Sequence, residues 1–176
     1  MTAEPTSVVS ADLVSVAVRS IHAMADGERG IFDALYSSDA VDHENRVQPP
    51  RSRVPGPDGF YSTALWLRAA FSDLHYDIRA AVAQGDLVAV SSTMNGRHVA
   101  PCAVYDRDGR VDTVFPPTDK TFAMTQSHWF RFEDGRIAEH WANRDDLGMA
   151  KQLGWIPPTP AYLLKMARAK RRAKRS

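Results

Sequence analysis

The sequence predicts a single α+β domain in which helices come first and a curved antiparallel sheet follows, folded around a pocket lined by histidines. Three observations carry this. Apolar residues in the first half recur at helical spacing, those in the second half alternate, and two of the six histidines fall on one face of a predicted hairpin.

The elements follow in order. Ser10 is placed to cap a first helix whose Leu13, Val14, Val18 and Ile21 share one face until Gly27 closes it. Ile31, Phe32, Leu35 and Tyr36 give the stripe of a short second helix, with His43 at the end of that segment. Pro49, Pro50, Pro55 and Pro57 make 45–57 a loop, and Pro57 suits the first turn of a third helix carrying Phe60, Ala64, Leu67 and Phe71. Leu74, Tyr76, Ile78 and Ala80 then alternate as a strand, and Gly85-Asp86 turns the chain into a second strand from Leu87. Asp106-Arg107-Asp108-Gly109 predicts a turn between two short strands that project from the sheet. Thr121 to Phe132 and Arg136 to Asn143 form the clearest hairpin, joined through Glu133-Asp134-Gly135. A short helix after Asp145, a proline cluster at 157–160 and a basic helix complete the chain, dividing it into a domain over 1–157 and a tail over 158–176.

Composition narrows the function classes. At 176 residues, 44% hydrophobic, the chain suffices for one domain with a substantial core. No run approaches the roughly 18–20 apolar residues that span a bilayer, so no membrane partner is expected. Residues 1–10 lack a basic segment leading into an apolar run, so no secretion signal is expected. The single cysteine, Cys102, excludes an intrachain disulfide and a thiolate zinc site and fits a reducing compartment, the cytoplasm. There is no HxH, HExxH or carboxylate facial triad, so neither a metal nor another cofactor is expected. Lys165, Arg168, Lys170, Arg171, Arg172, Lys174 and Arg175 make the tail strongly basic. Setting these seven aside leaves 15 Lys and Arg against 21 Asp and Glu. The body has no basic stripe to extend the tail, so nucleic acid is not expected as a partner.

The last hairpin brings chemistry into register. A three-residue loop with Gly135 in a left-handed bulge pairs Phe132 with Arg136, Phe130 with Ala138, His128 with His140 and Gln126 with Ala142. These even-numbered side chains share one face, assigned to an internal pocket. Trp129, Ile137, Glu139 and Trp141 share the other, assigned to a partner subunit and hence to a homodimer. His98 sits at the end of the strand that starts at Leu87. Clustered histidines can move protons at cellular pH. His22 and His75 are given no role.

Pro116-Pro117-Thr118-Asp119, His128, Asp134-Gly135-Arg136-Ile137, Glu139-His140, Asp145 and Gln152-Leu153-Gly154, in that order, resemble the signature of the SnoaL-like polyketide cyclases, or ester cyclases. Gly96-Arg97-His98 and Phe71-Ser72-Asp73 fit as well, and the resemblance runs from about Val14 to Gly154. The 106–109 turn and the basic helix lie outside the pattern. The resemblance implies a cone-shaped fold of the nuclear-transport-factor-2 type, with helices in the mouth of the sheet and dimerisation through its outer face. It also implies cofactor-free ring closure of a polyketide by intramolecular aldol condensation. In that family an acidic residue two positions after the Glu-His histidine acts as acid and base. Here the position is Ala142, while the pocket histidine, His128, is retained.

Two functional readings remain open. In the first, the protein is a cofactor-independent enzyme acting on a medium-sized carbonyl compound. His128 and His140 transfer the proton, and His98 with Arg97 stabilises a developing enolate. His43, Tyr61, Trp66, Phe130, Gln126 and Asp145 then contact the substrate. In the second, it is a non-catalytic small-molecule-binding protein that keeps the pocket.

Overall fold

A computed structural model describes residues 6–175. Among the described residues five α-helices and seven strands form an α+β fold: α1 (Thr6–Asp26), α2 (Arg29–Leu35), β1 (Tyr36–Asp42), α3 (Pro57–Ala70), β2 (Phe71–Gln84), β3 (Leu87–His98), β4 (Cys102–Tyr105), β5 (Val111–Phe115), β6 (Thr121–Glu133), β7 (Arg136–Arg144), α4 (Asp146–Leu153) and α5 (Pro160–Ala173), with short 3-10 turns at Asn45–Val47 and Pro50–Arg53. Among the described residues no helix is long and apolar enough to cross a membrane.

The main sheet has the order β1-β7-β6-β3-β2, and β4 pairs with β5 in a separate ribbon. Neighbours from β7 to β2 are antiparallel, whereas the edge strand β1 runs parallel to β7. The long strand β2 shifts register between Ser72 and His75 and again between Ile78 and Ala80. Such bulges bend a strand and increase its twist, which curls the sheet around its even-numbered face. That concave face carries Val88, Val90, Met94, Phe122, Met124, Phe130 and Phe132 into the core. Leu13, Ala17 and Ile21 of α1, and Phe60 and Ala64 of α3, recur at helical spacing and close over it. Arg68 of α3 satisfies the last carbonyls of α1, donating to Met24 O at 2.9 Å, Gly27 O at 3.0 Å and Ala23 O.

Several expectations need correction. Tyr36 belongs to β1, and the segment 36–42 is a strand where a helix end was expected. Its apolar content is sparse, but Tyr36 and Ala40 are buried and Asp42 is partly so, with even parity along the strand. Phe71 starts β2 instead of ending α3, and α1 already runs through Ser10. The β6–β7 loop has two residues, Asp134 (φ 48°) and Gly135 (φ 76°), the double left-handed geometry of a type I′ turn. Glu133 therefore pairs with Arg136 and Phe132 with Ile137, and a bulge follows on β7. Beyond it Phe130 faces His140, His128 faces Ala142 and Gln126 faces Arg144. The bulge also turns Ile137 into the core, fully buried, so it leaves the outer face.

The basic helix α5 lies along β5. Thr159 caps it, and the Tyr162 hydroxyl donates to Pro116 O at 3.0 Å. None of its residues is fully buried.

One glycine holds the loop over β1. Gly56 has φ 79° and donates its N–H to Ala40 O, and a Cβ there would lie 2.3 Å from Ser38 O. Gly56→Ala combines that overlap with left-handed strain and is expected to cost roughly 2–4 kcal/mol of stability. Chemical denaturation measures it; an unchanged midpoint would contradict this packing.

Candidate active site

Between the concave face of the sheet and helices α1, α3 and α4 lies a cavity of about 360 Å³. Most of its wall is apolar: Met94, Met124 and Phe130 from the sheet, Trp66 from α3, and Phe115 with Trp155 at the far side. Phe115 and Trp155 stack with centroids 4.0 Å apart, and Trp66 Nε1 donates to Ala103 O at 2.9 Å. A rigid aromatic wall of this kind suits a planar ligand.

The opposite wall is polar and built from three adjacent strands. Asp42 on β1 meets His140 on β7, with Oδ1 3.0 Å from Nδ1. His140 Nε2 lies 3.0 Å from His128 Nδ1 on β6, and His128 Nε2 lies 2.7 Å from Gln126 Oε1. The bulge offsets His140 diagonally from His128, and this places the two rings nearly parallel, 5.3 Å apart. All three strands contribute even-parity side chains, so the chain of contacts runs across the sheet on its concave face.

The electrostatics of this wall are unusual. Burial pushes the Asp42 carboxyl up, but the hydrogen bond and charge of His140, the Glu44 N–H and Arg144 outweigh it and hold Asp42 below the usual carboxylate value. Burial, then the charges of His140 and Arg144, holds His128 well below an ordinary histidine, against an opposing pull from Asp42. His128 is therefore neutral at neutral pH.

Proton positions follow from the partners. Gln126 presents its amide oxygen, an acceptor, so His128 Nε2 carries the hydrogen and Nδ1 is left as an acceptor. His140 Nε2 must then donate to it, and His140 Nδ1 donates to the ionised Asp42. In this arrangement His140 is an imidazolium held against a carboxylate, with side chains only 12% and 7% exposed. Rotating the Gln126 amide by half a turn would present NH₂ instead, reverse the direction of the chain and leave both rings neutral. Two proton inventories thus fit one set of heavy-atom positions.

The structure brings some of the expected residues together. His128, His140, Gln126, Phe130 and Trp66 line the cavity. His98 does not join them. It is fully buried at the end of β3, packed against Phe71 and Trp155, with Nδ1 3.4 Å from Thr118 Oγ1. Arg97 turns outward to Asp119 at 3.3 Å, so it cannot reach an enolate in the cavity. Tyr61 packs on Phe32 at 5.4 Å, in the helical layer. His43 stacks on Trp141 at 4.9 Å and meets Glu139 Oε2 at 2.9 Å, outside the cavity. Asp145 caps α4, accepting from Gly148 N at 2.8 Å.

Among the cavity residues that escaped the sequence reading, Asp42 and Arg144 bear most on the chemistry. Asp42 lies in a segment too polar to read as a strand, and its even spacing from Tyr36 and Ala40 was the available signal. Arg144 follows His140 and Ala142 at steps of two on β7, and its place on the same face was the signal there.

A curved sheet closed by helices over one apolar cavity, with a polar wall at one side, places the protein in the nuclear-transport-factor-2-like class. The family model for SnoaL-like polyketide cyclases matches residues 16–153, and the chain belongs to that family. It is 32% identical over 106 residues to the aklanonic acid methyl ester cyclase DauD of Streptomyces sp. strain C5, a match covering 60% of each chain. It is 33% identical over 100 residues to the nogalonic acid methyl ester cyclase of Streptomyces nogalater, covering 56% of this chain and 67% of that one. The match thus spans less than two thirds of the length of DauD. Among solved structures, IdmH of Streptomyces antibioticus superposes with a TM-score of 0.60 at 28% identity, covering 81% of this chain and 98% of that one.

The buried histidines set a pH dependence. His128 and His98 are both held below the ordinary histidine value, chiefly by burial, so the unfolded chain binds their protons more readily than the native one. Their contribution to stability is fully present above about pH 6.5 and is lost as pH falls below it toward their native values. The Asp42 contribution persists through this window, because a lowered carboxyl loses it only below pH 3.8. Unfolding free energies from denaturation should fall by up to about 1.4 kcal/mol per pH unit per histidine between pH 6.5 and 5. His98→Phe should flatten part of that slope. Midpoints independent of pH across this range would contradict neutral burial of both rings.

Proposed function

We propose that the protein is a cofactor-independent cyclase that closes a ring of a polyketide ester by intramolecular aldol condensation, with His128 as the proton acceptor. The observation that carries this reading is the continuous chain from Asp42 through His140 to His128 beside an apolar cavity. The position of the acidic residue expected from the family is Ala142, directly opposite His128 on the neighbouring strand. Asp42 supplies a carboxylate from β1 instead, acting through His140. It is a positioning residue, since it acts on His128 through His140, which it meets at 3.0 Å.

The proposed steps balance without an external reagent. A C–H bond next to a substrate carbonyl breaks in the arrangement with both rings neutral, and its proton goes to His128 Nε2 once the Gln126 amide has moved off that nitrogen. The Nδ1 proton of His128 moves along the 3.0 Å contact to His140, and the positive charge settles 3.0 Å from Asp42. A base with a depressed pKa is weak on its own. Passing the charge to a carboxylate-paired imidazole offsets that weakness. The enolate carbon attacks a ketone carbon, the new C–C bond forms, and the alkoxide takes the proton back. The relatives, cyclases of aklanonic and nogalonic acid methyl esters, name the compounds to try first.

Ring closure of nogalonic acid methyl ester, followed by chromatography, tests the reading. His128→Gln should lower kcat by about 10²–10⁴-fold with little change in KM. Asp42→Asn should lower kcat and shift the acidic limb of the pH profile to lower pH, which loss of a merely structural contact would not do. If the natural protein binds such esters and never closes them, it is a binding protein of the same fold. Turnover equal in the natural protein and His128→Gln would sink the assignment of His128.

We also infer a homodimer through the outer sheet face. Trp129 is 40% exposed there, beside Trp141, which is braced by His43 and by the Arg131 guanidinium 5.8 Å from its ring. Sedimentation at micromolar concentration should show a dimer that Trp129→Glu dissociates; a monomer in both would refute it.

A further inference from the structure

We propose that Arg144 selects the substrate, its guanidinium receiving the two oxygens of a β-dicarbonyl unit as the enolate forms beside His128. This rests on the proton-transfer reading above and adds the chemical class of the group that is deprotonated.

Arg144 ends β7 on the concave face, directly opposite Gln126, and lines the cavity. It is two positions beyond Ala142 and four beyond His140, on their side of the strand. Two carboxylates flank it, Glu44 Oε2 at 3.8 Å and Asp146 Oδ1 at 3.6 Å. Both are close enough to steady the charge and too far to accept a good hydrogen bond. Among the described residues no acceptor lies within hydrogen-bonding distance of this fork, although its side chain is only 24% exposed. A guanidinium carries five N–H donors, and at this cavity wall they remain available to a ligand.

The geometry of the fork limits what fits. Two parallel N–H groups match a planar anion whose charge is shared by two oxygens. A carboxylate and the enolate of a β-dicarbonyl both have that form, whereas a simple ketone offers one oxygen. Asp42, Glu44 and Asp146 surround this wall and oppose an anion that arrives already charged. An enolate acquires its charge only when the proton leaves, and that proton adds a positive charge to the histidine pair at the same moment. The bond between hydrogen and the carbon flanked by both carbonyls breaks, the proton goes to His128, and the electron pair spreads over the two oxygens in the fork. Binding that strengthens only as charge develops accelerates the step instead of merely holding substrate.

The probes are 1-phenylbutane-1,3-dione and 1-phenylbutan-1-one, which differ by the second carbonyl. Quenching of the cavity tryptophans gives their Kd, and the ultraviolet band of the enolate gives the pKa of the bound diketone. The natural protein should bind the diketone more tightly and lower its pKa. Arg144→Gln should weaken diketone binding about 10–100-fold, the worth of a charge-assisted pair, and return its pKa to the solution value. Binding of the monoketone should be unchanged, which also shows that the variant is folded. Arg144→Lys should recover only part, because a point charge lacks the fork. Arg144→Gln indistinguishable from the natural protein, or Arg144→Lys fully equivalent to it, would overturn the proposal. An Arg144-dependent pKa drop without ring closure of the ester would leave this inference standing and remove the cyclase reading; ring closure with diketone binding indifferent to Arg144 would do the reverse.

Discussion

The contact between Asp42 and His140 is the constraint on which the site depends. Two ionisable groups taken out of water lose several kcal/mol of hydration each, and they persist there only when each finds the other in good geometry. Here one is on the parallel edge strand β1 and the other on β7, so making this contact also fixes how β1 docks. The Glu44 N–H adds a second donor to the same carboxylate oxygen. His140 is thereby held with its Nε2 toward His128, and the second ring takes its orientation from the first.

The rest of the fold serves this wall. The type I′ turn at Asp134-Gly135 and the bulge after it set the diagonal offset that lets the two rings meet. A regular ladder continued from that turn would have paired His128 with Trp141 and turned His140 to the opposite face. The curled sheet, the α1–α3 layer and the aromatic wall at Trp155 make the opposite side apolar. Low polarity makes each charge in the polar wall act more strongly on its neighbours. That is why His128 is driven toward its neutral form while Asp42 stays ionised.

Much of this was legible in the sequence. Alternation over 121–132 and 136–143 gave both strands and placed His128, Gln126, Phe130 and His140 on one face, since parity survives a two-residue change of register. The resemblance to the polyketide cyclases predicted the family and the cone-like arrangement. The residues that failed did so for physical reasons. Segment 36–42 has three small or acidic residues between Tyr36 and Ala40, so its strand forms through β7 and not through its own pattern. His98 shares parity with the cavity residues, but the strand has by then run past the cavity's edge and under Phe71. Arg97 has the opposite parity, which alone excludes it from the cavity. Ile137 was misplaced because a bulge, unlike a two-residue change of register, inverts the face of the residues on one side of it.

The account makes His128 a neutral acceptor, tied through one ring to a buried carboxylate. Nitrogen-15 chemical shifts of its imidazole report that state directly, assigned by comparison with the His128→Gln variant. The account predicts a neutral His128 ring at pH 7, one nitrogen protonated and the other not, with its titration displaced well below the ordinary histidine range. A His128 ring carrying both protons at pH 7, or titrating as an ordinary histidine does, would contradict it.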